Sequence, residues 1–189
     1  DIYVPIPSVG IISTTEVVCV DSNGTSLASS VLPELSAIVD GSVSSYEYQW
    51  FLNGTAIPGA TSSTYVANAP GAYNVSVSSF TDLSCTNTSS VITILASGSP
   101  DDYSVGVTTE AFADSHQIVA TASSVNTTVS FLYSLDNETP QTSGVFDNVL
   151  PGVHVVTISD ASGCWSYSET VLIVDFPKFF TPNGDGVND

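Results

Sequence analysis

The 189-residue sequence predicts an all-β fold of two tandem β-sandwich modules followed by a distinct C-terminal segment. Three observations carry that expectation. Short alternating or β-branched runs recur along the chain, each bounded by Gly, Pro, Asn or Asp, and no stretch sustains a 3.6-residue apolar period. Ser and Thr together supply 51 residues, and Thr favours extended backbone because its branched Cβ is stiff in a helix. A nine-residue stretch also recurs: Ala69-Pro70-Gly71-Ala72-Tyr73-Asn74-Val75-Ser76-Val77 matches Leu150-Pro151-Gly152-Val153-His154-Val155-Val156-Thr157-Ile158. A cysteine follows each copy, at Cys85 and Cys164, so the offset is 81 residues at the Pro-Gly pair and 79 at the cysteine. That is the length of a small sandwich in tandem repetition.

Taken in order, residues 1–11 read as an N-terminal linker and 12–96 as the first module, with strands expected at 16–20, 36–39, 46–52, 72–78 and 90–95. The small polar stretch 97–102, Ser-Gly-Ser-Pro-Asp-Asp, reads as a linker. Residues 103–175 form the second module, with strands at 103–108, 118–122, 128–135, 153–159 and 168–174, and 176–189 stand apart. Asn53-Gly54 directly after an alternating run is a hairpin-type turn signal.

Period two along 46–52 places Tyr46, Tyr48, Trp50 and Leu52 on one face, the expected core face of the first module. Tyr73 follows a Pro-Gly turn and opens a strand, which is the setting of the tyrosine corner; the module thereby resembles immunoglobulin-like and PKD-like domains. Val75 stands where antibody domains carry their second core cysteine, so the inter-sheet disulfide of that family is missing. Cys19 and Cys85 are expected to pair instead, closing a loop worth roughly 4 kcal/mol on the chain-entropy account. Cys164 is then left over as a buried thiol, with intermolecular pairing as the alternative.

Charge excludes several functions. One Lys faces 19 carboxylates for a net charge of -18, a field that repels nucleic acid and anionic lipid. Compatible partners are divalent cations, neutral glycans or basic protein patches, and a merely solvated acidic surface is the plainer alternative. No run approaches the roughly 20 apolar residues of a membrane span, so membrane insertion is not expected, and no basic region with an apolar core marks a signal peptide at the N-terminus. Three Cys and no Met fit an oxidising, extracellular setting.

The chain closes on Phe176-Pro177-Lys178-Phe179-Phe180-Thr181-Pro182-Asn183-Gly184-Asp185-Gly186-Val187-Asn188-Asp189. This stretch resembles the opening of the gliding-motility-associated C-terminal domain, the type B sorting signal of the type IX secretion system in Bacteroidetes. The sorting motif comprises Phe176, Pro177, Phe179, Phe180, Thr181, Pro182, Asn183, Gly184, Asp185, Gly186, Asn188 and Asp189. The Pro-Gly-x-(Tyr/His) strands and Asp160-Ala161-Ser162-Gly163-Cys164 look like repeat modules of the large gliding adhesins. The resemblance implies passage through the type IX machinery and display at the cell surface, associated with the outer membrane, or release outside the cell. Self-association into filaments stays open, and the ligand is not identified by it.

Asn183, Asp185, Asn188 and Asp189 set oxygen ligands around two glycines, a pattern suited to calcium, although the spacing and terminal Glu of an EF-hand are absent; a polar turn is the alternative. His116 and His154 fall in different modules and form no catalytic dyad. His116, with Asp114, is expected in an exposed loop, and His154 occupies the tyrosine-corner position of the second copy. No G-x-S-x-G elbow is present, and Asp101-Asp102 lie in the expected linker rather than across a cleft. The sequence therefore reads as a non-catalytic stalk or adhesion segment of a secreted surface protein. The alternatives are a glycan- or protein-binding module using loop aromatics such as Tyr65, Phe80, Phe146 or Trp165, and an accessory region of a secreted hydrolase.

Overall fold

The computed structural model describes residues 8–28, 31–80, 85–125, 128 and 130–174. The sorting-like motif at 176–189, and with it the expected calcium ligands, lies outside them. The chain divides into two compact units, Asp1–Ser99 with Asn126–Val129, and Pro100–Val125 with Ser130–Asp189. Both are built from strands; the helical element among the described residues is one 3-10 turn at Val43–Ser45.

The first unit contains β1 (Val9–Ser13), β2 (Val17–Val20), β3 (Glu34–Val39), β4 (Tyr46–Leu52), β5 (Thr55–Ala56), β6 (Thr64–Val66), β7 (Gly71–Ser79), β8 (Thr86–Thr88) and β9 (Ile92–Gly98). One sheet runs β1-β3-β6 and the other β2-β9-β7-β4-β5, with β8 also paired to β7. Along β7, alternation buries Tyr73, Val75, Val77 and Ser79, and on the neighbouring β4 it buries Tyr48 and Trp50. Tyr48, Trp50, Tyr73, Val75 and Val77 share one core with Leu35 and Ala37 of β3, together with Val18, Val20, Ala60, Ala67, Ile94 and Ala96. Each fully buried aliphatic contributes about 1.5–3 kcal/mol relative to exposure, which makes this face the main source of the unit's stability.

Residues expected as an N-terminal linker extend into β1, whose Val9 to Ser13 pair with Val39 to Leu35 of β3. Val9 and Ile11 pack against the core from there. The expected linker at 97–102 is shortened from both sides: Ser97 and Gly98 end β9 and Asp102 opens the next strand. A Cβ on Gly98 would stand 2.2 Å from the Val20 carbonyl oxygen, so β2 lies against β9 too closely for any other residue there.

The second unit contains β10 (Asp102–Val107), β11 (His116–Ser123), β12 (Phe131–Leu135), β13 (Val145–Val149), β14 (Gly152–Asp160) and β15 (Ser166–Ile173). Its sheets run β10-β11-β13 and β12-β14-β15, all antiparallel. The core is smaller and holds no fully buried Trp: Ile118, Ala120, Tyr133, Val149, Val156, Ile158, Val171 and Ile173. The turn from β14 to β15 is fastened by the buried Asp160, whose carboxylate accepts the backbone N–H groups of Ser162 and Trp165.

Candidate binding surface

The cysteines come out differently from expectation. Cys19 and Cys164 are disulfide-bonded, so the bridge between Cys19 and Cys85 is corrected and Cys164 is not a leftover thiol. Strand register gives the reason. Cys19 pairs with Ser97 at the end of β9, and β9 runs antiparallel to β7 with Tyr73 opposite Ile92 and Gly71 opposite Ile94, which puts Ser97 level with position 68. Cys85 instead lies at the far end of β7, where its carbonyl accepts the Ser79 N–H. Within β7 alone, Gly71 to Ser79 spans eight steps of about 3.4 Å, roughly 27 Å, whereas a disulfide tolerates about 7 Å between Cα atoms.

Of the four loop aromatics, Phe80 alone is largely exposed, at 58%. Tyr65 is half-buried between Trp50 and Tyr73, each ring centroid 6.0 Å away, and belongs to the first core. Phe146 and Trp165 pack against the second core. Trp165 also meets Tyr103, Phe131 and Tyr167 edge-on or stacked, at centroid distances of 5.6, 6.4 and 6.3 Å. Phe80 lines a cleft of about 370 Å³ with Tyr46, Glu47, Tyr48 and Thr61. Its tyrosines are fixed: Tyr46 donates its hydroxyl to the Asp40 carbonyl and Tyr48 to the Val43 carbonyl, both at 2.8 Å. Burial, and then neighbouring Tyr46, raise the Tyr48 phenol above its ordinary value. A cleft with rigid aromatic walls and one carboxylate suits stacking of a sugar face or capture of a cationic side chain.

The histidines also part from each other. His116 is not in an exposed loop: it opens β11, is 4% exposed, and its Nδ1 lies 3.3 Å from the Thr109 hydroxyl. Asp114 stays in the exposed approach to the strand. His154 does occupy the corner position. In the first unit the Tyr73 hydroxyl donates to the Ala69 carbonyl at 2.8 Å; in the second, His154 Nε2 sits 2.7 Å from the Leu150 carbonyl, four residues back in the same way. Its Nδ1 lies 2.7 Å from Asp136 Oδ2.

Asp136 is the residue sequence reasoning missed. It follows β12 as Asn53 follows β4, and both adopt left-handed backbone, with φ 50° and 51°. Asn53 donates its N–H to the Ala72 carbonyl and accepts the Ala72 N–H on Oδ1; Asp136 makes the same reciprocal pair with Val155. The signal lay in Leu52-Asn53-Gly54 against Leu135-Asp136-Asn137, two Asx residues entering turns that require positive φ. The Val155 N–H and then the His154 imidazole hold the Asp136 carboxyl below its ordinary value, and Asp136 in turn raises His154, with burial opposing and the Leu150 carbonyl assisting.

No protein-family profile and no curated protein matches the chain. Solved structures do. The structure of a mouse coronavirus receptor-binding domain complexed with its murine receptor is 10% identical over 89% of this chain and 100% of that one, with a TM-score of 0.52. Fibronectin(III)-like modules of Clostridium thermocellum CbhA are 18% identical over 89% and 95%, with a TM-score of 0.45. The three N-terminal domains of the bacteriophage RB49 highly immunogenic outer capsid protein are 18% identical over 89% of this chain, TM-score 0.45, and the chain spans 59% of their length. The likeness is one of fold: an all-β chain of immunoglobulin-like sandwich modules.

Proposed function

We propose that this chain is a non-catalytic stalk and adhesion segment of a secreted cell-surface protein. The observation that carries the reading is the division into two sandwiches, each closed around its own apolar core, with function residing in spacing and stability. The disulfide-bonded state of Cys19 and of Cys164 supports an oxidising, extracellular location. Export by the type IX machinery, outer-membrane association, likeness to gliding adhesins and calcium at Asn183, Asp185, Asn188 and Asp189 belong to the same proposal and rest on the terminal motif. Deleting 176–189 from the gene in a bacterium that secretes by this route should leave the product in the periplasm; undiminished surface display would refute the export reading. Calorimetric titration with calcium that yields no heat removes the metal site.

A glycan- or protein-binding role is the second reading, favoured by the Phe80 cleft. A glycan array and cell-binding assay on the chain separates the two. Silence supports the stalk, whereas binding abolished by Phe80→Ala establishes the module as a receptor-type domain.

A further inference from the structure

We propose that the corner formed by Leu150, His154 and Asp136 is a proton-dependent latch, closing the second module with a charged imidazolium where the first module uses a neutral tyrosine. The chain contains its own control. At the corner position the two units hold Tyr73 and His154, each facing the carbonyl four residues back, and His154 faces the Asp136 carboxylate as well, whereas Asn53 of the first unit bonds the Ala72 backbone.

Hydrogen-bond accounting makes the proton necessary. Nε2 faces a backbone carbonyl and Nδ1 faces a carboxylate, each at 2.7 Å, and both partners accept only. A neutral imidazole has one N–H and can serve one of them; the imidazolium serves both. The ring is 13% exposed and Asp136 46%, so a nitrogen left undonating toward the carbonyl sits in a half-dry pocket, while the carboxylate retains water. Other charges do not compensate. Directly across on β15 stands apolar Val171, and Glu169, two positions along, meets the Tyr167 hydroxyl at 3.3 Å. Asp136 is the ion-pair partner of His154 among the described residues.

The sign follows. The folded imidazole binds its proton more tightly than the ordinary value of 6.5, so its contribution is complete below pH 6.5 and is lost as pH rises through the raised folded value. Asp136 is lowered from 3.8, so its contribution is present above 3.8 and is lost as pH falls below it. The latch is therefore fully closed in mildly acidic solution and loosens on the alkaline side of neutrality.

The test uses the full chain. NMR titration of its two histidines, assigned with His116→Gln, should show His154 titrating above 6.5 and both its ring N–H protons at mildly acidic pH. Melting of the wild type should fall by ~4 °C between pH ~5.5 and ~8.5. The double variant His154→Tyr with Asp136→Asn, which puts a neutral phenol at the corner and removes the carboxylate beside it, should melt without that fall. Asp136→Asn alone should bring the His154 titration down. A His154 that titrates at or below 6.5, or a double variant that retains the full pH-dependent fall, overturns the latch.

Discussion

The tyrosine corner of the first unit offers a clean energetic test. Tyr73→Phe keeps the buried ring, which is 0% exposed, and deletes one hydroxyl that donates to the Ala69 carbonyl at 2.8 Å. A net hydrogen bond is worth about 0.5–1.5 kcal/mol. Ala69 itself is only half-buried, so water reaches its orphaned carbonyl in part and the expected loss is about 1 kcal/mol. For a unit of this size that lowers the melting temperature by about 4–8 °C. Urea unfolding followed by tryptophan fluorescence measures it, in a Trp165→Phe background so that Trp50 is the sole reporter of the two tryptophans. Trp50 is a suitable probe because its indole N–H donates to the Ser62 carbonyl at 2.9 Å and its ring stacks on Tyr65, which also meets Tyr73. A loss under about 0.3 kcal/mol would show that the corner bond contributes nothing; one above about 3 kcal/mol would show that the ring repacks and that the hydroxyl is not the cause. The same variant carries an alkaline signature. Burial, with Tyr65 adding to it and the Ala69 bond opposing, raises the Tyr73 phenol above 10.0. The unfolded chain thus ionises first, stability is whole below pH 10.0 and falls above it, and Tyr73→Phe should lessen that fall.

Three further outcomes are expected. Gly144→Ala would place a Cβ 1.9 Å from the Ala120 carbonyl oxygen, beside a 2.7 Å hydrogen bond from Ala120 N–H to Gly144, and should cost about 3 kcal/mol in denaturant unfolding; a neutral result would mean β11 is not approached so closely. Non-reducing peptide mapping should find the Cys19 and Cys164 peptides shifted by reduction, and recovery of a Cys19–Cys85 linked peptide would contradict the register of β2, β9 and β7. Asp160→Ala removes a carboxylate that accepts two backbone N–H groups in the β14–β15 turn; a stability loss of about 1–3 kcal/mol is expected, and proteolysis at Ala161–Gly163 should accelerate, whereas unchanged cleavage would show the turn holds without it.

Much of this architecture was legible in the residues. Period-two alternation at 46–52 and 72–78 is a local property, since successive side chains of a strand must point to opposite faces, and Tyr48, Trp50, Tyr73, Val75 and Val77 are buried as that rule requires. The repeat around the two Pro-Gly pairs announced the corner in both units for the same reason: it is made within five residues of chain. Short strands such as β5, β6, β8 and β13 carried too few residues to show a period, and β1 was hidden because its order depends on pairing with β3.

What needed the tertiary structure was everything settled by distance across sheets. Spacing alone set Cys19 beside Cys85, yet a parallel β2–β9 pair and an antiparallel β9–β7 pair carry them to opposite ends of one sheet. Asp136 lies 18 residues before His154 and becomes its partner only because β12 pairs with β14. Sequence determined which residues prefer extended backbone and which face they present, because those are properties of neighbouring side chains. Register, and with it every bond between strands, was decided by how the sheets pack, because hydrogen-bond pairing couples residues that the chain itself keeps far apart.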